Sequence, residues 1–314
     1  MRKSEKLISI IIPCFNEEEA ITLFHKEISN VSNQMSADFE FIFIDDGSKD
    51  KTLEAIKNIR KKDKRVRFIS FSRNFGKEAG MYAGLKVAKG DYVAVMDVDM
   101  QDPPKMLITM YDEIKDNDYD CVALYTSTHK DYSFIRRTLT KGWYKFHSDI
   151  MRSNEKPGSR DFRLMTRQMV DAILSMKEKK RYIKGIYNFI GFKTKWIEFQ
   201  TPNRAVGTSK FPLKKLFAYA IQGIVAFSVE PLKIPLKLGI ASLFISLIWF
   251  IAIIIMLCKR IAVSLFLSLG CLIVFLFGIN LLMVGILAKY ISESYLEIKE
   301  RPVYIIRETE ESND

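Results

Sequence analysis

The stretch YVAVMDVDMQD at residues 92–102 decides the fold. Its first five residues are apolar and rich in valine, which is typical of a buried strand. Three aspartates and a glutamine, Asp97, Asp99, Gln101 and Asp102, follow directly where that strand ends. Ligands of open α/β sheets bind at the carboxyl ends of strands, and clustered aspartates repel one another unless a positive charge lies among them. Because Mg²⁺ prefers oxygen ligands and substrate phosphates, the stretch predicts chemistry on a nucleotide-activated substrate.

Strands and helices alternate on both sides of this stretch. The pattern predicts strands at residues 7–13, 39–44, 66–71 and 92–96, and helices at 17–29, 51–61, 78–88 and 104–115. A further strand is predicted at 120–125, and Asn16 is expected to cap the first helix. Such alternation favours βαβ units. We therefore predict a Rossmann-like α/β domain with a mostly parallel sheet.

Acidic or amide side chains follow three of the predicted strands. Asn16 and Glu17 come after the first strand, Asp45 and Asp46 after the second, and the Asp97 group after the fourth. One such turn alone would be interpreted as a helix cap. Because parallel strands end at the same edge of a sheet, three such turns together favour a ligand site.

Two long apolar runs dominate the second half of the chain. Residues 238–258 and 261–288 contain no charged side chain, and only Lys259 and Arg260 separate them. A bilayer-spanning helix needs about 20 apolar residues, whereas helices of a soluble core are shorter and amphipathic. We predict a transmembrane hairpin within residues 235–290, with spans at about 238–258 and 264–288, preceded by an amphipathic interfacial segment at 211–234.

The charge pattern favours a domain at residues 1–210 that is cytoplasmic at a cell membrane. No signal peptide is recognisable, and two spans would return the tail at 291–314 to the same side. The two basic residues between the spans run against that orientation. The net charge of +11 is attributed to anionic lipid rather than to nucleic acid. We expect reduced cysteines and a disordered acidic tail from Glu308.

Four motifs resemble the family 2 glycosyltransferases with the GT-A fold: IIPCFNEE (11–18), DDGSKD (45–50), RNFGKEAG (73–80) and DVDMQDPP (97–104). Three more, DFRLM (161–165), IGFK (190–193) and NRAVGTSKF (203–211), are similar to those of polyprenyl-phosphate glycosyltransferases. That group includes dolichyl-phosphate mannose synthases and bacterial bactoprenol glucosyltransferases. The segments at 285–290 and 300–304 also fit the bacterial enzymes.

The resemblance implies a donor site with a divalent metal. The residues expected to bind the nucleotide sugar are Pro13, Asn16, Glu17, Asp46, Lys77, Asp97, Arg204 and Lys210. Mg²⁺ or Mn²⁺ on the diphosphate would be held by Asp97, Asp99 and Gln101. As a Lewis acid, the metal would neutralise charge on the departing nucleotide.

The resemblance also implies an acceptor site. Arg136 and Arg137 would bind the acceptor phosphate, and Asp99 and Asp161 would be catalytic. Asp161 is expected to act as a base or as an orienter of that phosphate, with a salt bridge to Arg163 or Arg160 as the structural alternative. For each basic residue, attraction to the membrane surface is the alternative.

The expected activity is inverting transfer of a sugar to undecaprenyl phosphate, from UDP-glucose or UDP-N-acetylglucosamine. A GDP-mannose-dependent polyprenyl-phosphate mannose synthase is the alternative within the same class. A processive polysaccharide synthase is disfavoured because the sequence lacks Gln-x-x-Arg-Trp. An inactive membrane scaffold or nucleotide-sugar-binding subunit is the alternative of another class. Since relatives form tetramers, we also expect a homo-oligomer.

Overall fold

The computed structural model describes residues 6–126, 156, 158–179, 181–199 and 265–310, with only some side chains of residues 265–290. In these ranges the strands are β1 Leu7–Cys14, β2 Asp38–Asp45, β3 Val66–Phe71, β4 Tyr92–Val95, β5 Cys121–Tyr125, β6 Ser159–Thr166, β7 Thr194–Glu198 and β8 Ile306–Thr309. The helices are α1 Glu18–Ser32, α2 Thr52–Lys62, α3 Lys77–Val87, α4 Met106–Asp116, α5 Arg167–Ser175, α6 Ile183–Ile190 and α7 Leu265–Ile298.

All the described strands belong to one sheet, in the order β7-β5-β6-β4-β1-β2-β3-β8. The pairs β1–β2, β1–β4, β2–β3 and β5–β7 are parallel. Strand β6 runs antiparallel to β4 and β5, and β8 runs antiparallel to β3. The predicted α/β fold with a mostly parallel sheet is therefore confirmed.

Strand β1 lies in the middle of the sheet and is covered on both faces. Ile8, Ile10 and Ile12 are fully buried in the main core, which also contains apolar side chains of α1, α2 and α4. Ile11 points to the opposite face, where α3 packs. Burial on both faces explains why this strand is continuously apolar rather than alternating.

The predicted elements up to residue 125 are confirmed, with ends that shift by up to three residues. The cap of α1 was predicted wrongly, because this helix begins after Glu17 and has no side-chain cap. The prediction of a disordered tail from Glu308 is wrong at residues 308 and 309, which belong to β8, and residues 311–314 lie outside the described residues. The interfacial segment at 211–234 and the first span lie outside the described residues.

The chain divides into two compact units, one comprising residues 1–210 with 302–314 and the other residues 211–301. Helix α7 belongs to the second unit and covers the second predicted span. Among the residues that the structure describes, no helix is found that is long and apolar enough to cross a bilayer. The hairpin therefore stays a prediction.

Helix α3 approaches β1 closely at Gly84. A Cβ added there would lie 2.2 Å from Ile11 Cγ2 and 3.2 Å from Ile11 Cβ. At Gly80, one turn earlier, an added Cβ would make ordinary contacts, the shortest of them 3.5 Å to Pro13 Cβ. Gly84 therefore sets how close the helix that begins at Lys77 lies to the sheet.

We expect Gly84→Ala to lower the free energy of unfolding by about 1–3 kcal/mol, because the buried Ile11 has no room to move away. Gly80→Ala is the matched control and should be neutral or slightly stabilising, since alanine favours a helix more than glycine does. Thermal unfolding of the detergent-solubilised protein measures both. Equal effects of the two substitutions would contradict the close packing at Gly84.

Candidate active site

Three polar turns meet at the carboxyl edge of the sheet. Strands β1 and β2 end together, with Cys14 opposite Asp45, and β4 runs parallel on the other side of β1. Asn16 and Glu17 lie in the turn after β1, Asp46 in the turn after β2, and Asp97 and Asp99 in the turn after β4. The structure therefore brings the acidic turns to one edge, as the alternation of strands and helices predicts.

The turns after β1 and β2 are joined by hydrogen bonds. Asn16 has a left-handed backbone with φ 55°, and its Oδ1 accepts a hydrogen bond of 2.9 Å from the Lys49 amide. The Asn16 and Glu17 amides donate to Ser48 Oγ and Thr52 Oγ1, at 2.9 and 2.8 Å. Asn16 therefore cross-links two turns instead of capping α1.

Asp46 organises the loop that leads into α3. This carboxylate is buried and accepts hydrogen bonds from the Phe75 amide at 2.6 Å and the Gly76 amide at 2.9 Å. Burial raises the pKa of Asp46, while these two amides oppose the shift. The next residue, Gly47, has φ 68° and packs against the backbone of Arg73. An added Cβ at Gly47 would lie 2.4 Å from the Arg73 carbonyl carbon. The predicted nucleoside-binding residue Asp46 thus fixes the loop at residues 72–76.

Lys77 joins two carboxylates that come from different strands. Its Nζ lies 2.7 Å from Asp97 Oδ1 and 2.5 Å from Asp161 Oδ2. Asp97 follows β4 and Asp161 belongs to the neighbouring β6, where Val95 pairs with Arg163. This pairing brings the two carboxylates to the same place. The ammonium group of Lys77, from the first residue of α3, lies between them.

The charges at this junction shift the pKa values of all three groups. Burial alone would raise the pKa of Asp161, but Lys77, Lys184 and Arg163 lower it to about 2. Burial would lower the pKa of Lys77, but Asp161 and Asp97 raise it. Burial raises the pKa of Asp97, and the charge of Lys77 only partly offsets that effect. Asp161 is therefore a persistent anion.

The turn after β4 is held by Arg160. Asp102 is buried and accepts a hydrogen bond of 2.6 Å from Arg160 Nε. Gln101 donates from Nε2 to Asp99 Oδ2 at 2.7 Å, and its Oε1 lies 3.4 Å from Arg160 Nη2. Asp102 therefore anchors the turn that precedes α4, which begins at Met106.

The two aspartates of this turn fit a divalent cation better than Gln101 does. Mg²⁺ typically binds proteins through one or two carboxylates and takes its remaining ligands from water and substrate phosphates. Asp97 and Asp99 can supply such carboxylates, whereas the Gln101 oxygen faces Arg160. Over the residues that the structure describes, no group of three acidic, histidine or cysteine side chains could hold a metal by itself. The metal role of Gln101 remains a prediction.

Glu17 faces the same negatively charged region. Burial is the largest cause of its raised pKa, followed by the charges of Asp99, Asp50 and Asp97. The carboxylates of three turns therefore influence one another across the edge of the sheet. A ligand carrying positive charge would relieve this repulsion.

The other predicted site residues fall into two groups. Pro13 lies within β1, one residue before the carboxyl end of that strand. The predicted acceptor-phosphate residues Arg136 and Arg137 and the predicted nucleotide-sugar-binding residues Arg204 and Lys210 lie outside the described residues.

Sequence reasoning missed Lys184 and treated Arg163 only as an alternative partner of Asp161. Both lower the pKa of Asp161. Lys184 lies on α6, in a region without clear periodicity, so no sequence signal pointed to it. The structure pairs Asp161 with Lys77 and Arg160 with Asp102, so Arg160 is not the partner of Asp161.

An α/β sheet with clustered carboxylates at its carboxyl edge is typical of a domain that binds a ligand at that edge. The sequence matches the family model described as glycosyl transferase family 2 over residues 9–174. The chain belongs to this family, whose GT-A type of α/β fold agrees with the sheet.

Relatives match along nearly the whole chain. The chain is 39% identical over 306 residues to "Putative glycosyltransferase CsbB" of Bacillus subtilis, covering 96% of this chain and 92% of the relative. It is 36% identical to "SfII prophage-derived bactoprenol glucosyl transferase" of Shigella flexneri, covering 98% and 99%. The resemblance to polyprenyl-phosphate glycosyltransferases is therefore confirmed. A solved structure of glucosyl-3-phosphoglycerate synthase from Mycobacterium tuberculosis with UDP has TM-score 0.49, 16% identity, and coverage of 71% and 79%.

We expect Lys77→Met to destabilise the protein near neutral pH, by about 1 kcal/mol once solvent screening is allowed for. The folded pKa of Asp161, about 2, lies below the value of roughly 4 in an unfolded chain. The stabilisation by Lys77 is therefore present above about pH 4 and is lost as the pH falls toward 2. Thermal unfolding at about pH 3 and pH 7 tests this expectation.

Lys86→Met, on an exposed position of the same helix, is the matched control. It should change the melting temperature little at either pH. A loss in Lys77→Met that is equally large at low pH would show that the lysine stabilises the fold by packing rather than by charge.

Proposed function

We propose that this protein transfers glucose from a nucleotide sugar to a polyprenyl phosphate, with inversion at the anomeric carbon. The observation that carries the proposal is the junction of Lys77, Asp97 and Asp161 at the acidic edge of the sheet. Relatives named bactoprenol glucosyl transferase support both the sugar and the lipid acceptor. UDP-glucose is the proposed donor.

The donor would bind across the three joined turns. Asn16, Glu17 and Asp46 lie at the end nearest β2, where carboxylate oxygens can accept hydrogen bonds from a base or a ribose. Asp97 and Asp99 lie at the other end and would hold Mg²⁺ or Mn²⁺. Such a metal neutralises the charge that develops on a departing diphosphate. Lys77 carries a fixed positive charge to the same place.

The acceptor phosphate needs positioning more than deprotonation. A phosphate monoester has its second pKa near 6, so it is largely ionised at neutral pH. A carboxylate with a pKa of about 2 is a weak proton acceptor, and this value favours an orienting role for Asp161 over a role as general base. Lys77 and Lys184 would offset the repulsion between Asp161 and the phosphate.

The reaction is an in-line displacement. A phosphate oxygen of the acceptor attacks the anomeric carbon as the bond from that carbon to the nucleoside diphosphate breaks. The electron pair of that bond leaves with the diphosphate, and the α-linked donor becomes a β-linked sugar–phosphate–lipid. Holding the two reactants in line supplies a large part of such a rate enhancement.

The acceptor implies a membrane location. A polyprenyl phosphate stays in the bilayer, and the apolar runs at residues 238–258 and 261–288 would hold the enzyme there as a hairpin. We propose a cell-membrane enzyme whose catalytic unit is cytoplasmic, where nucleotide sugars are made. The homo-oligomer stays a prediction.

We expect Asp99→Ala to reduce transfer at least about a hundredfold, because this exposed carboxylate would bind the metal that stabilises the departing diphosphate. Purified enzyme is incubated with Mg²⁺ or Mn²⁺, undecaprenyl phosphate and a panel of UDP- and GDP-sugars, and the lipid product is identified by mass spectrometry. Asp38→Ala, an exposed aspartate at the start of β2, is the control and should stay active. Full activity in Asp99→Ala would refute the mechanism, and a mannosyl or N-acetylglucosaminyl product would refute the sugar assignment.

A further inference from the structure

The chain returns to the catalytic sheet after its last helix. Strand β8 pairs antiparallel with β3 and forms one edge of the sheet, with Ile69 opposite Thr309 and Phe71 opposite Ile306. The pairing continues one residue beyond β3, where the Ser72 amide donates a hydrogen bond of 3.0 Å to the Ile305 carbonyl oxygen. The C-terminal segment, residues 302–310, therefore reaches the loop at residues 72–76.

Ion pairs hold the end of this segment against the sheet. Arg67 Nε lies 2.9 Å from Glu310 Oε1, and Arg67 Nη1 lies 2.9 Å from Glu40 Oε2. The other Glu310 oxygen accepts a hydrogen bond of 3.0 Å from the Phe68 amide. The Arg67 and Glu310 side chains are 21% and 10% exposed, so water screens this pair less than a surface pair. The attachment of the segment is therefore specific.

Aromatic rings connect the segment to the donor side of the site. The Tyr304 ring stacks on Phe71 with 4.8 Å between centroids and 16° between planes. Phe71 meets Phe75 edge to face at 5.8 Å. Phe75 is the residue whose amide donates to Asp46. Ring contacts therefore link Tyr304 through Phe71 to Phe75. The Phe75 amide in turn is hydrogen-bonded to Asp46, a residue predicted to bind the donor.

The loop at residues 72–76 lies between two supports. On one side Asp46 binds the Phe75 and Gly76 amides, and Gly47 lies against the Arg73 backbone. On the other side the backbone carbonyl oxygen of Ile305 accepts the hydrogen bond from Ser72, and the Tyr304 ring supports the loop through Phe71. Helix α3 begins at the next residue, Lys77, and its own close packing against β1 at Gly84 holds that helix in place.

We propose that the C-terminal segment is a positioning element of the donor site, and that Tyr304 is its positioning residue. Tyr304 acts through Phe71 and Phe75 and keeps the loop amides directed at Asp46. It makes no contact with the substrate itself. This inference rests on the proposed function, because it assigns the loop to binding of the nucleotide sugar. Its structural half, that Tyr304 orders the loop, does not depend on the reaction.

The experiment compares full-length wild type with Tyr304→Ala, with two control variants. Tyr304→Phe keeps the stacked ring, and Ile305→Ala removes an exposed neighbouring side chain while keeping the backbone pairing. Hydrogen–deuterium exchange of the peptide covering residues 72–77 reports the order of the loop. Steady-state kinetics with UDP-glucose and undecaprenyl phosphate report binding and turnover.

In Tyr304→Ala we expect faster exchange of the Phe75 and Gly76 amides and a KM for UDP-glucose raised about three- to tenfold, since the stacked contact with Phe71 is lost together with the edge-to-face contact with Tyr82. The kcat and the KM for undecaprenyl phosphate should change little, because ground-state positioning of the donor alone is weakened. Both controls should behave like wild type. If Tyr304→Ala does not fold, Glu310→Gln weakens the same attachment and should produce a smaller change in the same direction.

Two failures can be told apart. Unchanged exchange and unchanged KM in Tyr304→Ala, with an active wild type, would overturn the inference and leave the proposed function intact. A wild type that neither binds nor uses UDP-glucose would refute the proposed function, and the exchange data would still decide whether Tyr304 orders the loop. A fall in kcat alone would contradict a role in donor positioning.

Discussion

The ammonium group of Lys77, placed between Asp97 and Asp161, is the interaction on which the site depends. Two carboxylates on adjacent strands repel each other unless a cation separates them. The chain supplies that cation from the first residue of α3, and Gly84 allows this helix to lie close to β1. The antiparallel pairing of β6 with β4 supplies the second carboxylate. The packing of α3 against β1 and the order of the strands therefore together place the Lys77 ammonium between the two carboxylates.

Two kinds of acidic side chain, buried and more exposed, lie at the carboxyl edge of the sheet. Asp46 and Asp102 are buried and are used by the fold, one to hold the loop before α3 and the other to hold Arg160. Asp99 and Glu17 are more exposed and have free access to a ligand. Some acidic side chains therefore stabilise the turns while others remain open to solvent at this edge, and burial distinguishes the two groups.

The first half of the fold could be predicted because its strands and helices have distinct periods and short connections. The convergence of Asn16, Asp46 and Asp97 followed from strand direction alone. The partners of these side chains did not, because Asn16 has a left-handed backbone and its amide oxygen binds the distant Lys49 amide. Strands β6, β7 and β8 were missed because each pairs with a strand far away in sequence. Their sequences carry no signal of that pairing.

The place of β8 in the sheet has a consequence for the order in which the protein is made. A ribosome releases β3 and the loop at residues 72–76 long before it reaches Tyr304 and Glu310. Until then the edge of β3 lacks its neighbour, and Arg67 lacks Glu310 as a partner. The side of the domain that carries β3 and the loop at residues 72–76 is therefore completed only after the apolar runs at 238–258 and 261–288 have been synthesised. A chain that stops before its last residues would leave the nascent sheet with an open edge, the kind of surface that pairs with other chains.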